Sequence, residues 1–562
     1  MNYKRVVNLL IYTTMTSSNK GRTIRKSLFM RPKDLTFYFR TMLTLWFIFC
    51  SSTIFGQAHK WGAWEKWGDQ KDGTYLNPIL PADFSDIDCI KVGDDYYAIS
   101  STFQFSPGMT LLHSKDLVNW EYCTNIIQDL TQISNHLSWN DMDCYGRGVW
   151  AGTLRFHKGR FYLFFGTPDE GYFMTSAQNP QGPWSPLTPL LEESGWDDCT
   201  AFWDDDGTAC FVGTHFSDGY KTYLFNMSPD GRLIDRASAR LVNEGNGREA
   251  NKIIKVGQWY YLVFSEYKYG VGRYVMARRS KNLIGPYKEE RQLALPSLDA
   301  MEPNQGGIIQ GPNGQWYFLT HHGTGDWSGR VVSLLPVTWI DGWPIIGKVL
   351  PQDIGTMQWK ASIPLTTDFK LEISRSDDFN EEKLGPQWQW NYQPRTDYFS
   401  LSENNGWLRL KAFRPLAYNQ LLKAGNTLTQ RTFRTESNVA TVKMDLWGMR
   451  DGQQCGLCHF SKSHSAIGLI QEGYQRHIIF RNEDELTYGP IITCRYVWLR
   501  SSWGLDGLSH YSYSLDGKNF KSFGIPYQMS WGNYRGDRIG IYCFNDKAEV
   551  GFVDVDYFHY QN

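Results

Sequence analysis

An all-β fold opening with a five-bladed β-propeller is what this 562-residue sequence predicts. The first observation behind that reading is a repeat. Gly93, Gly159, Gly207, Gly257 and Gly314 each open a run of aromatic and β-branched residues, as in Gly257-Gln258-Trp259-Tyr260-Tyr261-Leu262. Successive glycines stand 66, 48, 50 and 57 residues apart, the period of a propeller blade with loop insertions. The second is the near absence of helical periodicity, in a chain whose 52 Gly and 23 Pro suit many short strands joined by turns. The third is an aromatic excess of 23 Trp, 32 Tyr and 32 Phe. Filling β cores accounts for about half of that excess; sugar rings, whose C–H faces stack on aromatic rings, are the partner the remainder suits.

Taken in order, residues 1–58 read as a leader. Arg25, Lys26, Arg31, Lys33 and Arg40 precede an apolar run from Met42 to Cys50, and Gly56-Gln57-Ala58 offers small residues for cleavage. The apolar run is too short for a stable membrane span, so the expected location is secreted or periplasmic. Phe49 is bulky where a lipid-modified cysteine at position 50 would follow a small residue. Residues 59–370 hold a Trp-rich lead-in and the propeller, and 371–562 form a second domain. A net charge of −1 gives no bulk attraction to nucleic acid or anionic lipid. Nine cysteines lie beyond the leader, an odd and scattered set that is no disulfide framework, although Cys144 or Cys199 could still pair. Cys455 and Cys458 have CxxC spacing, but three apart on a strand they face opposite ways and cannot converge on a metal.

The first strand of each blade lines a propeller's central channel, and it should immediately precede each glycine-opened run. Seven to nine residues before the five glycines stand Asp86, the Trp150-Ala151-Gly152 stretch, Asp198, Glu249 and the Gln305-Gly306-Gly307 stretch. Three of five equivalent positions carry a carboxylate. Acidic groups crowded on one axis repel one another and lose hydration, so a purely structural core avoids them, whereas a site needing a base, an acid and a tuning charge requires them. Asp197 is expected to point away from the channel on the same strand as Asp198. Asp204, Asp205 and Asp206 form the turn before Gly207, and Glu244 lies thirteen residues before Gly257, off the blade alignment.

NPILPADFSDIDCIKVGDDYYAISSTF, WDDCTAFWDDDG and REANKIIKVGQWYYLV together resemble the three signature stretches of glycoside hydrolase family 43. VSLLPVTWIDGWPIIG is similar to the strand closing its xylosidase-type propellers, and residues from about 375 onward resemble the concanavalin-A-like, jelly-roll β-sandwich that follows in its β-xylosidases. The resemblance implies a catalytic propeller over 59–370 and a β-sandwich over 371–562. It implies Asp86 as the general base, Asp198 as the aspartate that tunes and orients the acid, and Glu249 as the general acid. It also implies Phe103 and Trp150 as aromatic walls around the terminal sugar, with core packing as their other reading, and Arg330 as a contact to the sugar hydroxyls. Both prolines of the family's Pro-Asp-Pro setting are missing around Asp86, and Ala250 stands where many relatives have glycine. Asn304 replaces a histidine near the channel, with His321 and His322 the nearest substitutes.

The chemistry implied is that of an exo-acting inverting hydrolase releasing β-D-xylose or α-L-arabinofuranose from plant cell-wall polysaccharides or their oligosaccharides. It requires no cofactor and calls for no metal ligands, while leaving room for a structural calcium ion. The partner is an oligosaccharide or polysaccharide, with no nucleic acid and no membrane span. Two other readings stand beside it: a carbohydrate-binding propeller without catalysis, and a retaining glycosidase or transferase, whose catalytic carboxyls sit closer together. Trp388, Trp390 and Trp407 of the second domain either bind glycan or pack its core.

Overall fold

The computed structural model describes residues 66–296, 303–321, 325–365 and 371–562; the expected leader and His322 lie outside the described residues. Each glycine-opened run becomes the second strand of a four-stranded antiparallel sheet, giving five such sheets in succession. The five glycines adopt φ between +59° and +89°, and a Cβ at any of them would meet nothing within 4 Å. Backbone conformation, not space, is therefore why glycine recurs there.

Blade I comprises Asp88–Val92, Asp95–Ser100, Gly108–Ser114 and Trp120–Ile127. Blades II to V begin with Gly152–His157, Trp196–Trp203, Glu249–Val256 and Gly306–Gln310. These five first strands lie against one another in a closed circle, blade V returning to blade I, which makes the propeller. The circle is locked by the segment ahead of blade I: Ile79 N–H donates to the Val332 carbonyl (2.8 Å), and the Asn77 side chain bonds both backbone groups of Leu334. Apolar layers fill the gaps between consecutive blades. Between II and III, Phe164 and Tyr172 meet Phe211, the Tyr172 ring at 4.9 Å, so much of the aromatic excess is spent in these wedges.

The second domain is a sandwich of two large antiparallel sheets. Leu457, Ile467 and Ile541 on one face Val442, Leu499 and Val553 on the other. Cys455 belongs to this core while Cys458, three residues on, packs on the opposite face beside Phe105 and Phe460, as strand alternation requires. All nine described cysteines are free thiols, Cys144 and Cys199 among them. Trp388 and Trp390 are buried in the core, while Trp407 keeps part of its surface open.

The two domains share structure rather than merely touching. The eight-stranded sheet of the sandwich ends in Phe105–Ser106, a strand supplied by blade I and paired with Gln389–Asn391. Arg431 of the sandwich, 1% exposed, donates Nε to the Asp83 carbonyl (2.5 Å) and lays its guanidinium 4.5 Å from the Phe84 ring. A chain ending at residue 370 would expose this sheet edge and the apolar surface around Phe84. It is expected to aggregate or lose near-ultraviolet circular dichroism; a monomeric, cooperatively melting propeller in gel filtration and calorimetry would contradict that expectation.

Candidate active site

The offsets that single out Asp86, Asp198 and Glu249 place all three at the same end of the channel. Asp86 stands two residues before the first strand of blade I, Asp198 third in that of blade III, and Glu249 opens that of blade IV. Asp86 and Asp198 adopt left-handed backbone, φ +57° and +49°, and so does Ala250 at +65°. Strained residues of this kind persist only where the surroundings hold them. Here, Asp86 N–H donates to His321 Nδ1 (2.7 Å) and Ala250 N–H donates to Asp198 Oδ2 (2.7 Å). His321 is 1% exposed, and burial holds its imidazole neutral, well below the usual range, so Nδ1 is free to accept. His321 is thus a support for the Asp86 backbone.

Opposite charges are then set against the carboxyls one by one. Arg330 Nη1 lies 2.5 Å from Asp86 Oδ1, and Arg273 Nη2 lies 2.5 Å from Glu249 Oε1. Gln305 Nε2 donates to Asp198 Oδ1 (3.1 Å). Lys252 is 2% exposed, with Nζ donating to the Gly152 carbonyl (3.2 Å), and its ammonium favours the ionised form of Asp198. Burial and the Asp86 charge nevertheless push the Asp198 carboxyl up. Glu249 is pushed up to about 7: burial outweighs the Arg273 guanidinium, and the Asp198 and Asp86 charges add to it. A carboxylic acid that is substantially protonated near neutral pH is what proton donation requires.

Of the other expected contacts, Arg330 is at the site through Asp86. Trp150 is half-buried, its Nε1 donating to the Gly146 carbonyl (2.9 Å) and its ring 6.1 Å from Phe216. Phe103 is only 2% exposed, so Trp150 carries the open aromatic surface. Tyr534 of the sandwich completes the rim. Its ring lies 5.7 Å from Trp150 and 5.4 Å from the Arg330 guanidinium, and its carbonyl accepts from Ser85 Oγ (3.1 Å). Nothing in the local sequence marks Tyr534 except its place in a turn, Gly532-Asn533-Tyr534-Arg535-Gly536, where an aromatic residue has no strand to fill. Arg273 was equally hidden, because its approach to Glu249 depends on the register of blade IV's third strand, Gly272–Ser280.

Strict alternation does not hold at Asp197: the pairing of Trp196–Trp203 with Ala209–His215 shifts register between Asp197 and Thr200. Burial pushes the Asp197 carboxyl well above the usual range, and Asp198, Asp86 and Glu249 each push it further, so it belongs to the same electrostatic group. Glu244 follows the outermost strand of blade III and is exposed. A groove of about 930 Å³ lies elsewhere, between the outer strand of blade I, Trp184 of blade II and residues 382–390 of the sandwich, and none of the three carboxylates lines it. Among the described residues, no three His, Cys, Asp or Glu side chains are grouped to hold a metal ion, and no helix is long and apolar enough to cross a membrane.

The pattern of glycosyl hydrolases family 43 matches residues 75–344, and that of the β-xylosidase C-terminal concanavalin A-like domain matches 376–561. A β-xylosidase of Formosa agariphila is 33% identical over 544 residues, spanning 88% of this chain and 91% of its own. The chain belongs to glycosyl hydrolase family 43. A non-reducing-end α-L-arabinofuranosidase of Bacteroides ovatus is 30% identical, over 73% of this chain and 78% of its own. Among solved structures, a bifunctional GH43-CE protein of Bacteroides eggerthii superposes with a TM-score of 0.76 at 28% identity; the match covers 86% of this chain and 63% of that one. Family 43 membership makes the protein an O-glycosyl hydrolase with an all-β propeller and a concanavalin A-like domain.

The Arg273 and Asp198 charges act in opposite directions on Glu249, and their removal should be readable in the pH profile of this family 43 enzyme. An acid donor is lost as pH rises through its pKa, so the alkaline limb of kcat/KM is expected near pH 7. Asp198→Asn removes a charge that raises Glu249 and should move that limb toward acid. Arg273→Met removes one that lowers it and should move the limb toward alkali, each by about one unit. Limbs that stay in place, or move the same way, would show that Glu249 does not set them.

Proposed function

We propose that the protein is an exo-acting, inverting glycosidase that releases a terminal pentose, β-D-xylose or α-L-arabinofuranose, from plant cell-wall polysaccharides or their oligosaccharides. The observation that carries the reading is the pairing of unlike carboxyls at one end of the channel: Asp86 ion-paired with Arg330, and Glu249 pushed up to about 7. In the proposed step, Asp86 takes a proton from water as its oxygen bonds to the anomeric carbon. Glu249 gives its proton to the glycosidic oxygen as the carbon–oxygen bond to the leaving sugar breaks. Inversion follows because water attacks from the face opposite the departing group, in the space of about 6.5–9.5 Å that separates acid and base in such enzymes. Asp198 fixes the backbone next to Glu249 through the Ala250 N–H and keeps a charge beside it.

End-wise action is supported by the rim, where Trp150, Arg330 and the sandwich's Tyr534 crowd one another. The choice of pentoses is supported by the named activities of the similar proteins from Formosa agariphila and Bacteroides ovatus. Action outside the cytoplasm is part of the proposal and is supported by the basic and apolar pattern of residues 25–58. The step uses protein side chains alone, and a structural calcium ion has no part in it.

Leaving-group dependence tests the assignment. Glu249→Ala should cost about 10²–10⁴-fold in kcat/KM on disaccharides and much less on aryl glycosides with activated leaving groups. Asp86→Asn should depress both classes alike, since water must be activated whatever departs. Proton NMR in the first minutes of reaction should show the anomer opposite to the substrate's. The same anomer appearing first would replace this reading with the retaining one, and an aryl pentoside panel with no turnover would favour a binding protein.

A further inference from the structure

Asp197 is a carboxyl group without an evident task. The fold does not hold its side chain through any hydrogen bond of Oδ1, which is buried without a partner. A buried acceptor left unpaired costs about 1–3 kcal/mol, and a role in a site is one of the reasons a native structure keeps such a group. The backbone at Asp197, by contrast, is fully held. It pairs with Thr214, its carbonyl accepts from the Tyr172 hydroxyl (2.6 Å), and the preceding Trp196 stacks on His215 with centroids 4.4 Å apart. Position is therefore set by the main chain; Oδ1 is covered by protein, while the residue as a whole is only half-buried and keeps an open part for other use.

Its surroundings indicate that use. Oδ1 lies over Gly166, where a Cβ would come within 3.2 Å of it, so the absence of a side chain at 166 makes the space the carboxyl fills. The Gly166 carbonyl accepts from the Trp150 N–H (3.0 Å), which puts the carboxyl beside the main chain of the residue that carries the open aromatic surface of the rim. On its other side is Asp198, its neighbour in the chain, and the charges of Asp86 and Glu249 both reach it. It thus neighbours the main chain of the wall and feels all three carboxylates, and among the described residues no cation is ion-paired with it.

We propose that Asp197 is a specificity-determining residue of this site: it hydrogen-bonds one hydroxyl of the terminal pentose as the sugar lies against Trp150. The proposal rests on the pentosidase reading above and adds the group that discriminates among sugars. A polar group built to pair with a substrate hydroxyl rejects the analogue lacking it, because the group is then left unpaired. Burial and its acidic neighbours push the Asp197 carboxyl up, and in its protonated form it offers the hydroxyl a donor as well as an acceptor.

The test uses the full chain, the aryl pentoside that the wild type cleaves best, and that glycoside's monodeoxy analogues. Asp197→Leu is expected to lower kcat/KM about tenfold or more, chiefly through KM, and Asp197→Asn to recover most of that loss because the amide keeps both a donor and an acceptor. One deoxy analogue should cost the wild type about tenfold while costing Asp197→Leu less than about twofold; the other analogues should cost both proteins equally. Equal sensitivity of wild type and Asp197→Leu to every analogue would overturn the proposal and make any loss a packing effect. So would an Asp197→Asn as impaired as Asp197→Leu. If Asp197→Leu does not fold, the Asp197→Asn comparison across the analogues decides alone. A wild type that cleaves no pentoside would remove the functional reading instead. Asp197 is then judged by calorimetric titration of D-xylose and L-arabinose, where an unchanged Kd in Asp197→Leu overturns the proposal and a Kd raised about tenfold supports it.

Discussion

Negative charge crowded where water cannot screen it is costly, and one end of this channel brings together four carboxyl groups: Asp86, Asp197, Asp198 and Glu249. Each is answered differently. Asp86 has a guanidinium, Asp198 has a backbone N–H, an amide and a nearby ammonium, Glu249 has a guanidinium that burial overrules, and Asp197 Oδ1 has no partner. Four groups of the same chemical type thus meet four different electrostatic surroundings. Acid–base chemistry needs such a difference, and it is established by what surrounds each group, since all but Glu249 are the same residue type. The left-handed backbone at Asp86, Asp198 and Ala250 is part of the same arrangement, aiming the side chains at a common point instead of letting them alternate along their strands.

The sandwich belongs to this site as much as the blades do. It receives a strand from blade I, anchors Arg431 beneath Phe84, and sends Tyr534 to the rim beside Trp150 and Arg330. The rim therefore depends on residues more than 380 positions apart in sequence, Trp150 and Tyr534. A movement of either domain relative to the other would change the rim before it changed the carboxylates, which sit on the innermost strands or, for Asp86, two residues ahead of one.

What could be read from the sequence followed from local rules that tertiary packing did not override. The five glycines required positive φ and nothing else, so their spacing mapped directly onto the sheets. Counting back from them found Asp86, Asp198 and Glu249 because each first strand precedes its turn by a nearly constant length. Alternation was no guide at Asp197, where left-handed backbone at the next residue accompanies a shift of register. Arg273 and Tyr534 were beyond reach for a different reason: each meets the site through a register or a domain contact that no window of sequence contains. Phe103 was legible as a position but not as a surface, since exposure is decided by its neighbours.

The φ of +57° at Asp86 also bears on how a loss-of-function variant should be made. Asparagine, aspartate and glycine tolerate left-handed backbone far better than alanine does, so truncating this side chain would add conformational strain of about 1 kcal/mol to the loss of its carboxylate. The strain falls on the residue whose N–H meets His321, and a shifted backbone there would carry the neighbouring residues with it. Asparagine deletes the charge and preserves the torsion, so an inactive complex trapped with intact substrate should be sought with that residue.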